Sequence, residues 1–183
     1  MARIIFLHGP SSAGKTTLAH ALRPVLASPH LHLSIDHLRD SGAWDPSFYS
    51  DWGTARSTFF DGFHRAVAGF ADAGNDLILE HILDTDGWHE NLQRLLAAHH
   101  VLFVGLHTPL DSLNAREAAR QDRPTGSAAH DFARVHDGCQ YDLTLQGNDP
   151  AEKNAVRIVK ALAEEPGRSR FFLPRNIARP GAR

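Results

Sequence analysis

Gly9-Pro10-Ser11-Ser12-Ala13-Gly14-Lys15-Thr16 stands between an apolar run, Arg3-Ile4-Ile5-Phe6-Leu7-His8, and the stretch Lys15 to Ala27, where Leu18, Ala21, Leu22 and Val25 recur at helical spacing. Strand, glycine-bracketed loop and helix in that order predict a site that grips a polyphosphate. The glycines allow the backbone to curl so that several N–H groups point inward at phosphate oxygens. Lys15 then reaches the β- and γ-phosphates, the Thr16 hydroxyl is a ligand for Mg²⁺, and the helix that runs on through Thr17 aims its positive end at the anion. Gly9, Pro10, Ser11, Ser12, Ala13, Gly14, Lys15, Thr16 and Thr17 are thus the candidate contacts to ATP or another nucleoside triphosphate.

Working outward, Leu31 to Asp36 reads as a second strand ending in an acid, and Thr54 to Ala73 as a helix with Phe59, Phe60, Phe63, Val67 and Phe70 at spacings of three and four. Asp76 to Ile82 reads as a buried third strand, Trp88 to Ala98 as a helix and His100 to Leu106 as a fourth strand. Pro109 opens a helix to about Gln121, a polar stretch follows, Tyr141 to Leu145 is a fifth strand and Ala151 to Glu164 a last helix. Strands alternating with helices predict an α/β fold: a three-layer sandwich whose five-stranded parallel sheet is covered on both faces.

The 183 residues suit one domain with a sizeable core, and a formal net charge of −2 argues against a nucleic-acid or anionic-membrane partner. Cys139 is the only cysteine, so no intramolecular disulfide can form. The first apolar run is shorter than a signal peptide core or a membrane span requires, and the expectation is a soluble cytoplasmic monomer or homodimer. From Pro166 the composition changes to five arginines (168, 170, 175, 179 and 183) and two further prolines, read as an extended or partly disordered tail, 166–183, after a catalytic domain over 1–165.

In an open parallel sheet ligands sit beyond the carboxyl ends of the strands. Asp36, at such an end, is placed to accept the proton of an attacking hydroxyl, although it could equally cap a short helix. Glu80, ending the third strand, is the candidate acid for the Mg²⁺ shell, or else a buried structural carboxylate. Glu80 and the adjacent His81 also face the expected acceptor. Arg120, on a helix face shared with Arg116, and Arg123, where the following polar stretch begins, are candidate lid cations that cover the transferring phosphoryl group. Trp44, Tyr49 and Trp52 lie in an aromatic-rich segment between the second and third strands and are candidates for a substrate wall.

Taken together these segments resemble the chloramphenicol phosphotransferase-like family of small P-loop kinases. The match rests on Gly9 to Lys15, on Ser34-Ile35-Asp36-His37-Leu38, on Arg116-Glu117 with Arg120-x-Asp122-Arg123, and on Val135-His136-Asp137-Gly138 with Tyr141-Asp142. The resemblance implies a nucleotide-kinase-like architecture with an arginine-bearing lid. It also implies that Asp36 is the base for the acceptor's hydroxyl, and that Lys15, Thr16, Arg120 and Arg123 contact nucleotide and phosphate. Glu80-His81 departs from the paired aspartates the family tends to show, and Ser41 to Asp61 has no recognisable counterpart.

The expected activity is an ATP- and Mg²⁺-dependent phosphotransfer to a hydroxylated small molecule, such as an antibiotic. A metabolic kinase with an anionic acceptor fits less well, because the 41 to 61 segment holds Arg56 as its only arginine and no lysine. A nucleotide-dependent regulatory or toxin-like ATPase is the alternative from another class.

Overall fold

Ile4, Ile5, Phe6 and Leu7 are all fully buried, and they point alternately into two separate cores. Such an unbroken apolar strand is stable only with helices over both faces. The computed structural model describes residues 1–119, 126–164 and 167–176. In it the chain runs β1 (Arg3–His8), α1 (Lys15–Leu22), β2 (Leu31–Ser34), α2 (Ile35–Asp40), α3 (Trp52–Asp72), β3 (Leu77–Glu80) and α4 (Trp88–Leu95). It continues through β4 (His100–His107), α5 (Leu110–Ala118), α6 (Ser127–Phe132), β5 (Leu143–Gln146) and α7 (Ala151–Ala163).

The five strands lie in the order β2-β3-β1-β4-β5, every neighbouring pair parallel. Ile4 and Phe6 join Leu77, Leu79, Val101 and Phe103 in one core with α3 and α4, while Ile5 and Leu7 join Ile78, Leu102 and Val104 in the other with α1 and α7. The five-stranded parallel α/β sandwich expected from the sequence is therefore the fold. With β3 on one side of β1 and β4 on the other, the chain reverses its winding at β1, which puts the loop after it at the crevice where such sheets bind ligands.

Several element boundaries differ from the sequence reading for local reasons. α1 ends at Leu22 rather than Ala27, because Pro24 cannot continue a helix and disfavours one before it, and Val25 is left exposed. β2 ends at Ser34, whose hydroxyl accepts from the Asp36 N–H and caps α2. Asp36 is thus in the first turn of a helix, and the capping role falls to Ser34. The short α6 was not anticipated in its polar surroundings; buried Glu117 starts it, accepting from Gly126 N–H at 2.8 Å and Ala128 N–H at 3.0 Å.

The described part of the C-terminal segment, 167–176, is packed rather than extended away from the domain. Phe171 is fully buried against Phe6 and Phe103. Asp142 anchors the segment by accepting from the Ser169 hydroxyl and from Arg170 N–H. The change in composition at Pro166 does not mark the edge of the core.

Candidate active site

The loop from Gly9 to Gly14 bends through left-handed conformations at Ser12 (φ 62°) and Gly14 (φ 100°), and Ser12 is the only non-glycine with positive φ among the described residues. Lys15 folds back across the loop, its Nζ donating to the carbonyls of Gly9 and Pro10 at 2.8 Å each. A cavity of about 570 Å³ opens between Gly14, Thr17, Arg116, Asn148 and Asn154. A second, smaller cleft of about 160 Å³ lies on the other flank of the loop, lined by Ser11, Lys15, Asp36, Glu80, His81 and Trp88 among others. The loop thus separates two concavities, the larger within the size range of small-molecule sites.

Thr16 Oγ1 donates to Glu80 Oε2 at 2.9 Å, and Glu80 Oε1 lies 2.5 Å from His32 Nε2. Glu80 is almost fully buried. Burial pushes its carboxyl up, but the His32 hydrogen bond, the Lys15 charge, the His32 ring and the Thr16 hydroxyl outweigh that and hold it below the usual carboxylate range. A hydroxyl and an ionised carboxylate side by side at the mouth of a phosphate loop are a suitable donor pair for Mg²⁺, which takes a few protein oxygens and otherwise keeps water and phosphate. Asp36, half-buried, accepts from Arg39 Nη1 at 2.9 Å and shares the smaller cleft with Lys15.

A family model described as chloramphenicol phosphotransferase-like protein matches residues 2–163. The chain belongs to that family. Two Mycobacterium tuberculosis proteins, from strains CDC 1551 and H37Rv, are each named "Putative O-phosphotransferase"; each is 26% identical over 166 residues, covering 78% of this chain and 74% of theirs. The fold is shared with the Acinetobacter baumannii shikimate kinase in complex with shikimate, at 20% identity, a TM-score of 0.63 and coverage of 91% and 97%. It is likewise shared with the Mycobacterium tuberculosis APS kinase in complex with AMPPNP and APS, at 17% identity, a TM-score of 0.64 and coverage of 88% and 98%. This phosphotransferase is accordingly a kinase acting on a hydroxyl, built on a P-loop kinase fold.

The structure brings Lys15, Thr16, Asp36, Glu80 and His81 of the phosphotransferase to one place. Trp44 and Trp52 pack against each other and against Phe59, and Tyr49 packs against Trp52, with ring centroids 4.8–5.6 Å apart; none of the three lines the cleft, and Phe59 contacts Phe60, which does. The aromatic wall of the cleft itself is Phe60 and Trp88. Arg120 and Arg123 lie outside the described residues.

Other residues reach the site: Asp131 and His8 were not assigned a role from sequence, while Arg116, His136 and Tyr141 were named as parts of the family match. Arg116 holds the loop to the end of β5, donating to Ala13 O at 3.1 Å, Gly147 O at 2.9 Å and Asn148 Oδ1 at 3.1 Å. Asp131, on α6, accepts from the Ser11 N–H at 3.0 Å, and burial raises its carboxyl above the usual range. Beneath the loop, Leu83 N–H donates to His8 Nε2 at 3.0 Å, so His8 carries its proton on Nδ1 and donates to Tyr141 Oη at 2.8 Å. The Tyr141 hydroxyl also hydrogen-bonds with His136 Nδ1 at 2.7 Å. Gly105 makes room for this tyrosine, since a Cβ there would lie 2.5 Å from its ring. The motif Val135-His136-Asp137-Gly138 with Tyr141-Asp142 is therefore tied to the root of the phosphate loop. Only the motif itself signalled this, because the partners are more than a hundred residues apart in sequence.

Proposed function

We propose that this phosphotransferase transfers the γ-phosphoryl group of ATP, with Mg²⁺, to the hydroxyl of an uncharged small molecule, with hydroxylated antibiotics of the chloramphenicol type as the first acceptor class. The observation that carries this reading is the loop set between two cavities. A triphosphate laid along the N–H groups of Gly14, Lys15 and Thr16, with its nucleoside in the larger cavity, presents its last phosphate to the cleft where Asp36 stands.

In this arrangement Lys15 leaves the loop carbonyls to neutralise the β- and γ-phosphates, and Asp36 orients the acceptor hydroxyl and takes its proton as the oxygen attacks. Thr16 and Glu80 are the residues that hold Mg²⁺; the ion, when bound, offsets phosphate charge. Arg120 and Arg123 are the lid cations of the proposal. The acceptor is taken as uncharged because Arg56 is engaged: it contacts Asp84 at 3.1 Å and Thr85 at 2.7 Å, with its guanidinium 5.0 Å from the centroid of Phe60 and 4.6 Å from that of Trp88. Phe60, Ile82 and Trp88 offer it apolar surface. Dependence on ATP places the reaction in the cytoplasm; no described helix is long and apolar enough to cross a membrane.

The test is ADP release by purified protein with ATP and Mg²⁺ across a panel of neutral alcohols that includes chloramphenicol. Release that requires one alcohol, and yields its phosphate ester, is the expected result. Equal release with every alcohol and with none would replace the kinase reading by an acceptor-independent ATPase.

A further inference from the structure

A directional hydrogen-bond chain ends in the floor of the acceptor cleft. Arg94 Nη2 donates to Asn91 Oδ1 at 2.7 Å, which settles how the Asn91 amide is turned. Asn91 Nδ2 therefore faces His64 Nδ1, at 3.3 Å, and donates to it. Burial drives His64 down to about 4, so its ring is neutral. A neutral ring that accepts at Nδ1 carries its proton on Nε2. That His64 N–H points at His81 Nε2, 2.9 Å away, and His81 must then accept at Nε2 and carry its own proton on Nδ1.

Packing holds the His81 ring in this orientation. Trp88 stacks on it with centroids 5.2 Å apart and planes 21° from parallel, and Phe60 and Phe63 lie at 5.9 and 5.7 Å. His81 lines the cleft with Lys15 and Asp36, and its Nε2 edge is taken by His64.

We propose that His81 Nδ1–H is the hydrogen-bond donor that reads the acceptor molecule. The acceptor then carries, near the hydroxyl it presents to Asp36, an oxygen that can only accept: a carbonyl, ether or nitro-type oxygen. An aspartate at position 81 would select the opposite chemistry, an N–H or O–H group. His64 and Asn91 are positioning residues that act through the tautomer they impose. The inference deepens the proposed phosphotransfer and rests on it for the identity of the cleft, but the tautomer is a property of the protein alone.

Long-range ¹H–¹⁵N spectra of histidine-labelled protein, without nucleotide or acceptor, read that tautomer. We expect a protonated Nδ1 and an unprotonated Nε2 on His81, and a mixed population in His64→Phe; an Nε2-protonated His81 in the native protein overturns the inference. The second arm measures chloramphenicol binding by calorimetry in the presence of AMPPNP. His81→Asn, whose amide nitrogen replaces Nδ1, is expected to bind within about threefold of the native protein, and His81→Leu and His81→Asp about tenfold more weakly, as loss of one hydrogen bond implies. Native protein that binds no better than His81→Leu overturns the donor role. Failure of the phosphotransferase reading registers elsewhere, in the ADP-release assay.

Discussion

Thr16 Oγ1 and Glu80 Oε2 are joined by a 2.9 Å hydrogen bond that spans from the first turn of α1 to the end of β3. With Glu80 held ionised, the pair is the proposed Mg²⁺ donor set. Glu80→Gln keeps the shape and removes the charge. The expected outcome is a rise of about tenfold in the Mg²⁺ concentration for half-maximal ADP release, and EDTA should abolish activity in both proteins. An unchanged Mg²⁺ requirement in the variant would remove Glu80 from the metal shell.

Asp36 accepts from Arg39 at 2.9 Å and lines the smaller cleft, outside the hydrophobic core. Asp36→Asn should lower kcat by roughly 10² to 10⁴, the usual contribution of a positioned base, and leave the KM for ATP within about twofold. A variant with native kcat would show that another group takes the proton.

Arg116 links Ala13 of the loop to Gly147 and Asn148, and Arg116, Gly147 and Asn148 border the larger cavity. Removing its guanidinium in Arg116→Ala loosens both sides of that cavity, so the KM for ATP should rise about tenfold while the KM for the acceptor stays close to native. Steady-state kinetics with each substrate varied separately distinguishes the two.

His8, His64, His81 and His136 are all held below the ordinary histidine value of 6.5, burial being the largest cause for each, with His64 and His136 at about 4. Between pH 6.5 and 4 the unfolded chain binds protons at these rings that the native protein refuses. Their contribution to stability is therefore fully present above 6.5 and is lost as pH falls toward 4. Denaturant midpoints should drop between pH 7.5 and 5, and His64→Phe should show a shallower drop. A midpoint that rises on acidification would contradict the buried neutral state of these rings.

Phe171 fills the core between Phe6 and Phe103 from beyond the last helix. Phe171→Ala should cost about 3–5 kcal/mol, as for other buried aromatic side chains, and removal of the chain from Gly167 onward should cost at least as much. Thermal unfolding of the two variants checks this; a shift of only a degree or two would mean the segment is dispensable.

Most of the fold was legible in sequence because the continuous apolar runs of β1, β3 and β4 and the three-four spacing in α3 are properties of neighbouring residues. Where the reading of boundaries missed, the deciding feature was a single local group: Pro24 stopping α1, the Ser34 hydroxyl starting α2, the Glu117 carboxylate starting α6. At the candidate site, Lys15 and Thr16 were singled out by the loop motif and Asp36 and Glu80 by their places at strand ends, which the parallel sheet gathers at one edge. His32 was read only as part of a strand. Its contact with Glu80 follows from the parallel register that sets Ser34 beside Glu80, which spacing along one strand does not report.

What the sequence by itself determined is the phosphate loop, the parallel α/β class and the family, since these depend on residue types at fixed short separations. The tertiary structure alone decided which polar groups meet: His32 with Glu80, Arg116 with Gly147, His8 with Tyr141, and His64 with His81. It also decided that Phe171 belongs to the core. These pairings depend on strand order and on how each helix lies against the sheet. A buried polar or apolar group takes whatever partner that packing delivers, however distant in sequence, because leaving it without one costs too much free energy.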